Sequence, residues 1–276
     1  MGLRRLPRRH VERVWGRRDL AGPFAPPPGT REPIGEIWFE DSPEAALLVK
    51  YLFTSERLSV QVHPDDAAAR ARGHPRGKDE AWYVVAAEPG AVIGLGLTDK
   101  VSRDALRSAA LDGSIERLLD WRPVAAGQFF YSPAGTVHAI GAGLALVEIQ
   151  QNLDLTYRLY DYGRPRELHV AEAVAVADPR PWAPPFAPIE AAPGRTILAA
   201  GAAFVLERWT RAEGLAADVP EGTVLVPLAG ADAGSVWAAD GEVALAGPAD
   251  LLAAYPGGAV REDVLEQAGV RSSRSS

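Results

Sequence analysis

From Ile34 to Tyr162 the chain runs in short apolar stretches with alternation, each cut off by glycine or proline. Stretches of that length, with a two-residue rhythm and frequent turn residues, read as antiparallel β-structure. The clearest strand candidates are Leu47 to Phe53, Leu58 to His63, Ala81 to Ala86, Gln128 to Ser132 and Leu144 to Gln150. They predict a mainly β domain, a sandwich or a barrel. One helical excursion over 102–120 interrupts them. Ser102 is the expected N-cap of a helix from Arg103 to Leu111, Asp112-Gly113 breaks it, and Ser114 restarts a turn through Leu119. The excursion is expected outside the sheet, over its mouth.

Side chains of a strand alternate between its faces, so Gln61 and His63 share one face and Val60 and Val62 take the other. Glu80 opens the strand that continues through Trp82 and Tyr83, and His138 follows Pro133-Ala134-Gly135 near the start of another. The chain has 0 cysteines, so any metal must be held by imidazole, carboxylate or amide groups. Gln61, His63, Glu80 and His138 are the candidate set. The plain alternative is two separate histidines bonded to backbone, the ordinary fate of a histidine in an apolar strand. Two strand histidines beside Pro or Gly punctuation, with a glutamate opening a strand between them, favour a shared metal. His10, His74 and His169 lack that context and are read as surface or loop residues.

The net charge is −7, which argues against a nucleic-acid surface, although a bound phosphate needs only a local basic patch. No apolar run approaches the ~20 residues of a membrane span, and the arginine-rich start lacks an apolar export segment. No membrane partner is expected, and a cysteine-free chain suits the cytoplasm. Pro179, Pro181, Pro184, Pro185, Pro188 and Pro193 disfavour regular structure, so 179–194 reads as a linker. It separates a catalytic domain, 1–178, from a smaller β-rich domain, 195–265. The latter has strand candidates at Thr196 to Leu206, Gly222 to Leu228, Gly234 to Ala239 and Glu242 to Leu245, and no histidine. The end, 266–276, reads as a frayed tail.

The spacing from Gly127 through Pro133-Ala134-Gly135 to His138 is similar to the second motif of cupin β-barrels, whose histidine is a metal ligand. The match is partial, with Ala142 where cupins carry asparagine and Gln61-Val62-His63 where they carry His-x-His. These departures lead to a narrower likeness. Leu52 to Asp66, Gly77-Lys78-Asp79-Glu80-Ala81-Trp82-Tyr83-Val84, Ala134 to Gly143 and Glu148 to Tyr162 closely resemble the short bacterial type I mannose-6-phosphate isomerases. The likeness runs from Val14-Trp15-Gly16 to Tyr162, with a weaker echo beyond. It implies a cupin-type antiparallel jelly-roll barrel with the helical excursion, and a smaller cupin-like second domain.

The resemblance also implies a zinc-dependent aldose–ketose isomerase acting on a small sugar phosphate, with mannose 6-phosphate and fructose 6-phosphate as its pair. Gln61, His63, Glu80 and His138 would hold one Zn2+, for which Co2+ or Mn2+ can substitute, and Arg158 would belong to the active site. Isomerisation moves a proton between C1 and C2 through an enediol(ate), so a base and a group that stabilises oxygen charge are needed. Glu148 is the candidate base, against the alternative of a solvent-facing glutamate in alternation. Arg158 would stabilise the enediolate, against the alternative of an ion pair with Asp154 or Asp161. For the phosphate, Ser59 shares the Gln61 face and Lys78 lies two residues before Glu80; Lys78 alternatively shuttles a proton or is solvated in its turn. Monomer and homodimer both stay open. Competing readings are a non-catalytic cupin that binds metal or sugar phosphate, and an iron dioxygenase on the same barrel. The first would be free to lose Arg158 or Glu148, and the second fits poorly with Gln61 beside His63.

Overall fold

The computed structural model describes residues 2–211, 214–245 and 247–265, so the tail expected at 266–276 lies outside the described residues. The chain forms two compact units. One is Pro7–Pro185, and the other joins the residues up to Leu6 to those from Phe186 onward. Among the described residues no helix is long and apolar enough to cross a membrane.

Strands are numbered along the chain, and β1 (Arg4–Arg5) belongs to the second unit. The first unit holds β2 (Arg8–Arg17), β3 (Ile34–Phe39), β4 (Leu47–Thr54), β5 (Val60–Val62), β6 (Glu80–Ala87), β7 (Val92–Leu97), β8 (Leu119–Pro123), β9 (Phe129–Ser132), β10 (His138–Ile140), β11 (Leu144–Gln151) and β12 (Tyr157–Tyr160). They make two antiparallel sheets, in the orders β2-β3-β4-β11-β6-β9 and β12-β5-β10-β7-β8. From β4 to β12 the chain passes from one sheet to the other at every step except β7 to β8, as in a jelly roll. The fold is a cupin-type β-barrel.

Alternation along the strands decides what each face buries. Leu52, Trp82, Val84 and Leu146 from the six-stranded sheet pack against Ile93, Leu95 and Ile140 from the five-stranded one, forming the core between them. The opposite face of the five-stranded sheet carries Val60, Val62, Ala139 and Leu159. Helices cover it: α2 (Arg103–Asp112), α3 (Ile115–Leu118) and α4 (Val170–Val176), while α1 (Asp66–Arg70) follows β5. The Ser102 hydroxyl accepts from the Ala105 N–H at 3.1 Å, and Gly113 ends α2 in the left-handed region, so both helix boundaries follow the sequence signals. The position over the mouth is corrected. Leu106, Ala109, Ala110 and Ile115 are apolar on one side, and they bury against the back of the sheet.

The linker reading is corrected as well. Its first part lies on the first unit, where the Pro179 carbonyl accepts from the Val101 N–H at 3.0 Å and the Arg180 carbonyl from the Leu97 N–H at 3.2 Å. Proline removes a donor and leaves the acceptor, so a proline-rich segment can still bond through its carbonyls. Gly96 makes room for it, because a Cβ there would meet the Trp182 backbone nitrogen at 2.4 Å. Its last part is a strand, β13 (Ile189–Ala192), of the second unit. That unit continues with β14 (Arg195–Ala200), β15 (Phe204–Arg211), β16 (Leu215–Pro227), β17 (Trp237–Leu245) and β18 (Ala249–Pro256), in one antiparallel sheet ordered β1-β17-β16-β18-β15-β14-β13. Two of the short strands expected there are the single β17.

Candidate metal centre and its cavity

Each proposed ligand is placed by strand register. His138, first residue of β10, lies directly opposite Gln61 of β5. Gln61 in turn lies opposite Arg158 of β12, so Arg158, Gln61 and His138 form one row across three strands. Glu80 opens β6 in the facing sheet. Asp79 pins that strand to the turn before His138, because its carboxylate accepts from the Tyr131 hydroxyl at 2.6 Å and the Ala134 N–H at 2.8 Å. Burial pushes the Asp79 carboxyl up against these two donors. Two distant motifs are thereby held in one place.

His63, Glu80 and His138 converge there, all buried, with ligand atoms within 4.8 Å of one another. Glu80 Oε1 is 3.1 Å from His63 Nε2 and 3.1 Å from His138 Nε2. His63 Nδ1 faces the Leu155 carbonyl at 2.9 Å and His138 Nδ1 faces the Thr136 carbonyl at 2.9 Å. A carbonyl only accepts, so both rings carry their proton on Nδ1 and turn an Nε2 lone pair inward. The other neighbours agree, since Lys78 Nζ donates to His63 Nε2 at 3.2 Å and Gln61 Nε2 donates to His138 Nε2 at 3.2 Å. Three acceptors therefore meet around one point, an arrangement that calls for a cation. Bonds of about 2.1 Å to a common ion would separate its ligands by roughly 3.0–3.4 Å, which matches the two spacings of 3.1 Å between Glu80 Oε1 and the imidazoles. The site can hold a divalent metal, and backbone acceptors behind both imidazoles are the support such ligands usually have.

Burial pushes the His63 imidazole down to about 3, so the ring is neutral and able to ligate. Burial opposes a charged Glu80, yet the buried Lys78 ammonium, 2.9 Å from its Oε2, helps hold the carboxyl below the usual carboxylate range. Gln61 presents its amide nitrogen to His138, while its Oε1 accepts from Ser59 Oγ at 3.2 Å. Ligation by Gln61 requires a half-turn of that amide, which exchanges two atoms of nearly equal size.

Gln61 and Lys78 also line a cavity of about 410 Å³, together with Ser59, Lys50, Glu148 and Arg158. Lys78 is not the solvated turn lysine considered above. It is buried, lies 2.9 Å from Glu80 Oε2, and is pushed up by the charges of Glu80 and Glu148 despite its desolvation. Glu148 does not face solvent either. It lies opposite Lys50 on β4 and Trp82 on β6, with Oε1 3.2 Å from Lys50 Nζ and Oε2 accepting from the Trp82 indole at 3.1 Å. Arg158 makes no ion pair with Asp161, whose carboxylate is taken by Arg166 and Arg164. Its Nε is buried without a hydrogen-bond partner.

Three basic cavity residues escaped the sequence reading. Lys50 sits beneath Gln150, donating to its Oε1 at 2.6 Å, with Nζ 4.4 Å from the Trp38 ring centroid. Its signal was a single charge inside Leu47-Leu48-Val49-Lys50-Tyr51-Leu52-Phe53. Arg13 and Arg166 line the cavity as well. Arg13 comes from β2, a strand hidden among arginines, and no local pattern marked Arg166.

A two-sheet antiparallel barrel with a buried His-Glu-His cluster, whose neighbours Gln61 and Lys78 line a polar cavity, is a cupin with a candidate metal site. No family model matches the chain. It is 46% identical to the mannose-6-phosphate isomerase of Streptococcus mutans over 136 residues, 47% of this chain and 43% of that protein. With mannose-6-phosphate isomerase ManA of Bacillus subtilis it shares 41% identity over 139 residues, 48% of this chain and 44% of that protein. The matched part is thus less than half the length of these curated relatives. The crystal structure of the mannose 6-phosphate isomerase from Bacillus subtilis superposes with a TM-score of 0.77, over 91% of this chain and 98% of that one, at 26% identity. The likeness to type I mannose-6-phosphate isomerases carried by the four motifs extends to the fold.

Proposed function

We propose that the protein is a metal-dependent aldose–ketose isomerase interconverting D-mannose 6-phosphate and D-fructose 6-phosphate through an enediol(ate). The observation that carries this reading is the meeting of His63 Nε2, His138 Nε2 and Glu80 Oε1 beside a polar cavity, in a chain whose relatives bear that name. Zinc is the proposed ion, since it suits nitrogen and oxygen ligands in a redox-free reaction. When bound, such an ion polarises a sugar oxygen and stabilises charge that develops on it.

The chain's own residues supply the rest. Glu148 is the proposed base for the C1/C2 proton, with Lys50 and the Trp82 indole fixing both of its oxygens. Arg158 is the proposed stabiliser of the enediolate oxygens, a role supported by its position one strand over from Gln61 and its unpartnered Nε. Lys78 holds Glu80 and, through it, the ligand cluster. The reading includes a cytoplasmic location and a monomer or homodimer, which sedimentation would distinguish.

A coupled assay for fructose 6-phosphate, run on protein as purified, after chelation and after zinc is restored, tests the proposal. Turnover lost with chelator and regained with zinc is expected. Folded, zinc-loaded protein that binds mannose 6-phosphate without converting it would instead make this a non-catalytic sugar-phosphate cupin.

A further inference from the structure

The cavity holds more cations than the chemistry above uses, and their pairing separates them. Lys50 is engaged by Glu148 and Gln150, and Lys78 by Glu80. Three arginines also line the wall: Arg13, Arg158 and Arg166. Arg13 is paired with Glu36 at 2.7 Å. Arg158 carries the buried Nε without a partner. Its guanidinium is disfavoured first by burial and next by the charge of Arg166, with Asp161 opposing and Arg13 adding a smaller push; Arg13, Arg158 and Arg166 all line the one cavity.

Arg166 is held with particular rigidity. Asp161 is 2% exposed and takes Arg166 as a two-pronged fork, with Nη2 donating to Oδ1 at 2.7 Å and Nε donating to Oδ2. A fork of that kind fixes the plane of the guanidinium and leaves Nη1 for another acceptor. The loop that makes it possible is bent. Tyr162, next to Asp161, is among the described residues the single non-glycine residue with positive φ, at 55°. Strained backbone of this sort persists where the surroundings impose it and concentrates at functional sites.

We infer that Arg166, oriented by Asp161 and assisted by Arg13, and not Lys78, is the anchor for the substrate's phosphate dianion. The inference rests on the isomerase reading above. A dianion placed there offers an acceptor to Arg166 Nη1, which the Asp161 fork leaves open, and to the unpartnered Arg158 Nε. Arg158, directly opposite Gln61 on the neighbouring strand, would then face the reacting carbons of a phosphorylated hexose. Asp161 is a positioning residue, since it acts through Arg166.

The test measures kcat and KM for mannose 6-phosphate, and the binding of inorganic phosphate by calorimetry, on metal-loaded wild type, Arg166→Ala, Arg166→Lys and Asp161→Asn. Removing one charge-assisted contact is expected to raise KM and to weaken phosphate binding roughly 10- to 100-fold in Arg166→Ala. Metal content and kcat should change little, Arg166→Lys should recover part of the loss, and Asp161→Asn should raise KM in the same direction. Unchanged KM and phosphate affinity in Arg166→Ala, in an active wild type, would overturn the anchor and leave the isomerase standing. If wild type bound phosphate through Arg166 and failed to turn over mannose 6-phosphate, the anion site would stand and the isomerase would fall. Should Arg166→Ala not fold, an unchanged KM in both Arg166→Lys and Asp161→Asn overturns the anchor.

Discussion

Lys50 shows what a single residue can betray. A lysine within an apolar strand is either at an exposed edge or buried with partners, and here it lies 4% exposed among Trp38, Glu148 and Gln150. The ligand residues Gln61, His63, Glu80 and His138 were legible because a strand's two-residue period puts Gln61 and His63 on one face. The state of each ring was not legible, since it depends on the Leu155 and Thr136 carbonyls. Arg158→Ala should lower kcat/KM by more than about tenfold, because a group stabilising a developing charge usually contributes at least that; steady-state kinetics decide it. The metal-free protein should lose stability as pH falls from about 6.5, the usual histidine value, toward 3. Its buried His63 refuses a proton that the unfolded chain accepts, so stability is fully present above the unfolded value and is lost below it. Thermal melts of chelated protein between these limits measure the loss, and added zinc should resist it by mass action.

At the scale of elements, the barrel strands were readable from alternation and turn residues, and α2 from its cap and its glycine stop. β2 was not read, because its arginines look like a solvated arm. In the fold, Arg9 pairs with Glu40 and Arg13 with Glu36, so the charges on that strand are matched by its neighbours. The placement of α2 was misjudged because its apolar side says that it packs, without saying on which face. Leu106 is 0% exposed in that interface. Leu106→Ala should cost about 2–5 kcal/mol by leaving a cavity under the helix, and Ser102→Ala about 1 kcal/mol by removing its cap. Chemical denaturation reads both, and similar losses at the two sites would argue against this packing.

For the molecule as a whole, the second unit is held by a buried network without ligand-type histidines. Glu207, 0% exposed, receives two bonds from Arg195, one from the Trp209 indole at 2.7 Å and one from the Tyr255 hydroxyl at 2.8 Å. Glu207→Ala should destabilise this unit by about 3–5 kcal/mol, since it strands a buried guanidinium; a melt showing no loss would refute that account. The proline-rich segment before it could not be placed from composition, because bonding through proline carbonyls depends on which donors lie opposite. What the amino-acid order determined alone is local: strand periods, caps, breaks, and the donor types that share a face. Tertiary structure alone decided which strands became neighbours, and so brought Glu80 within 3.1 Å of two histidines and set Arg166 in the same cavity as Gln61. The physical reason is range. Side-chain direction follows from a few bonds of backbone, whereas convergence of residues far apart in the chain follows from how whole sheets bury their apolar faces.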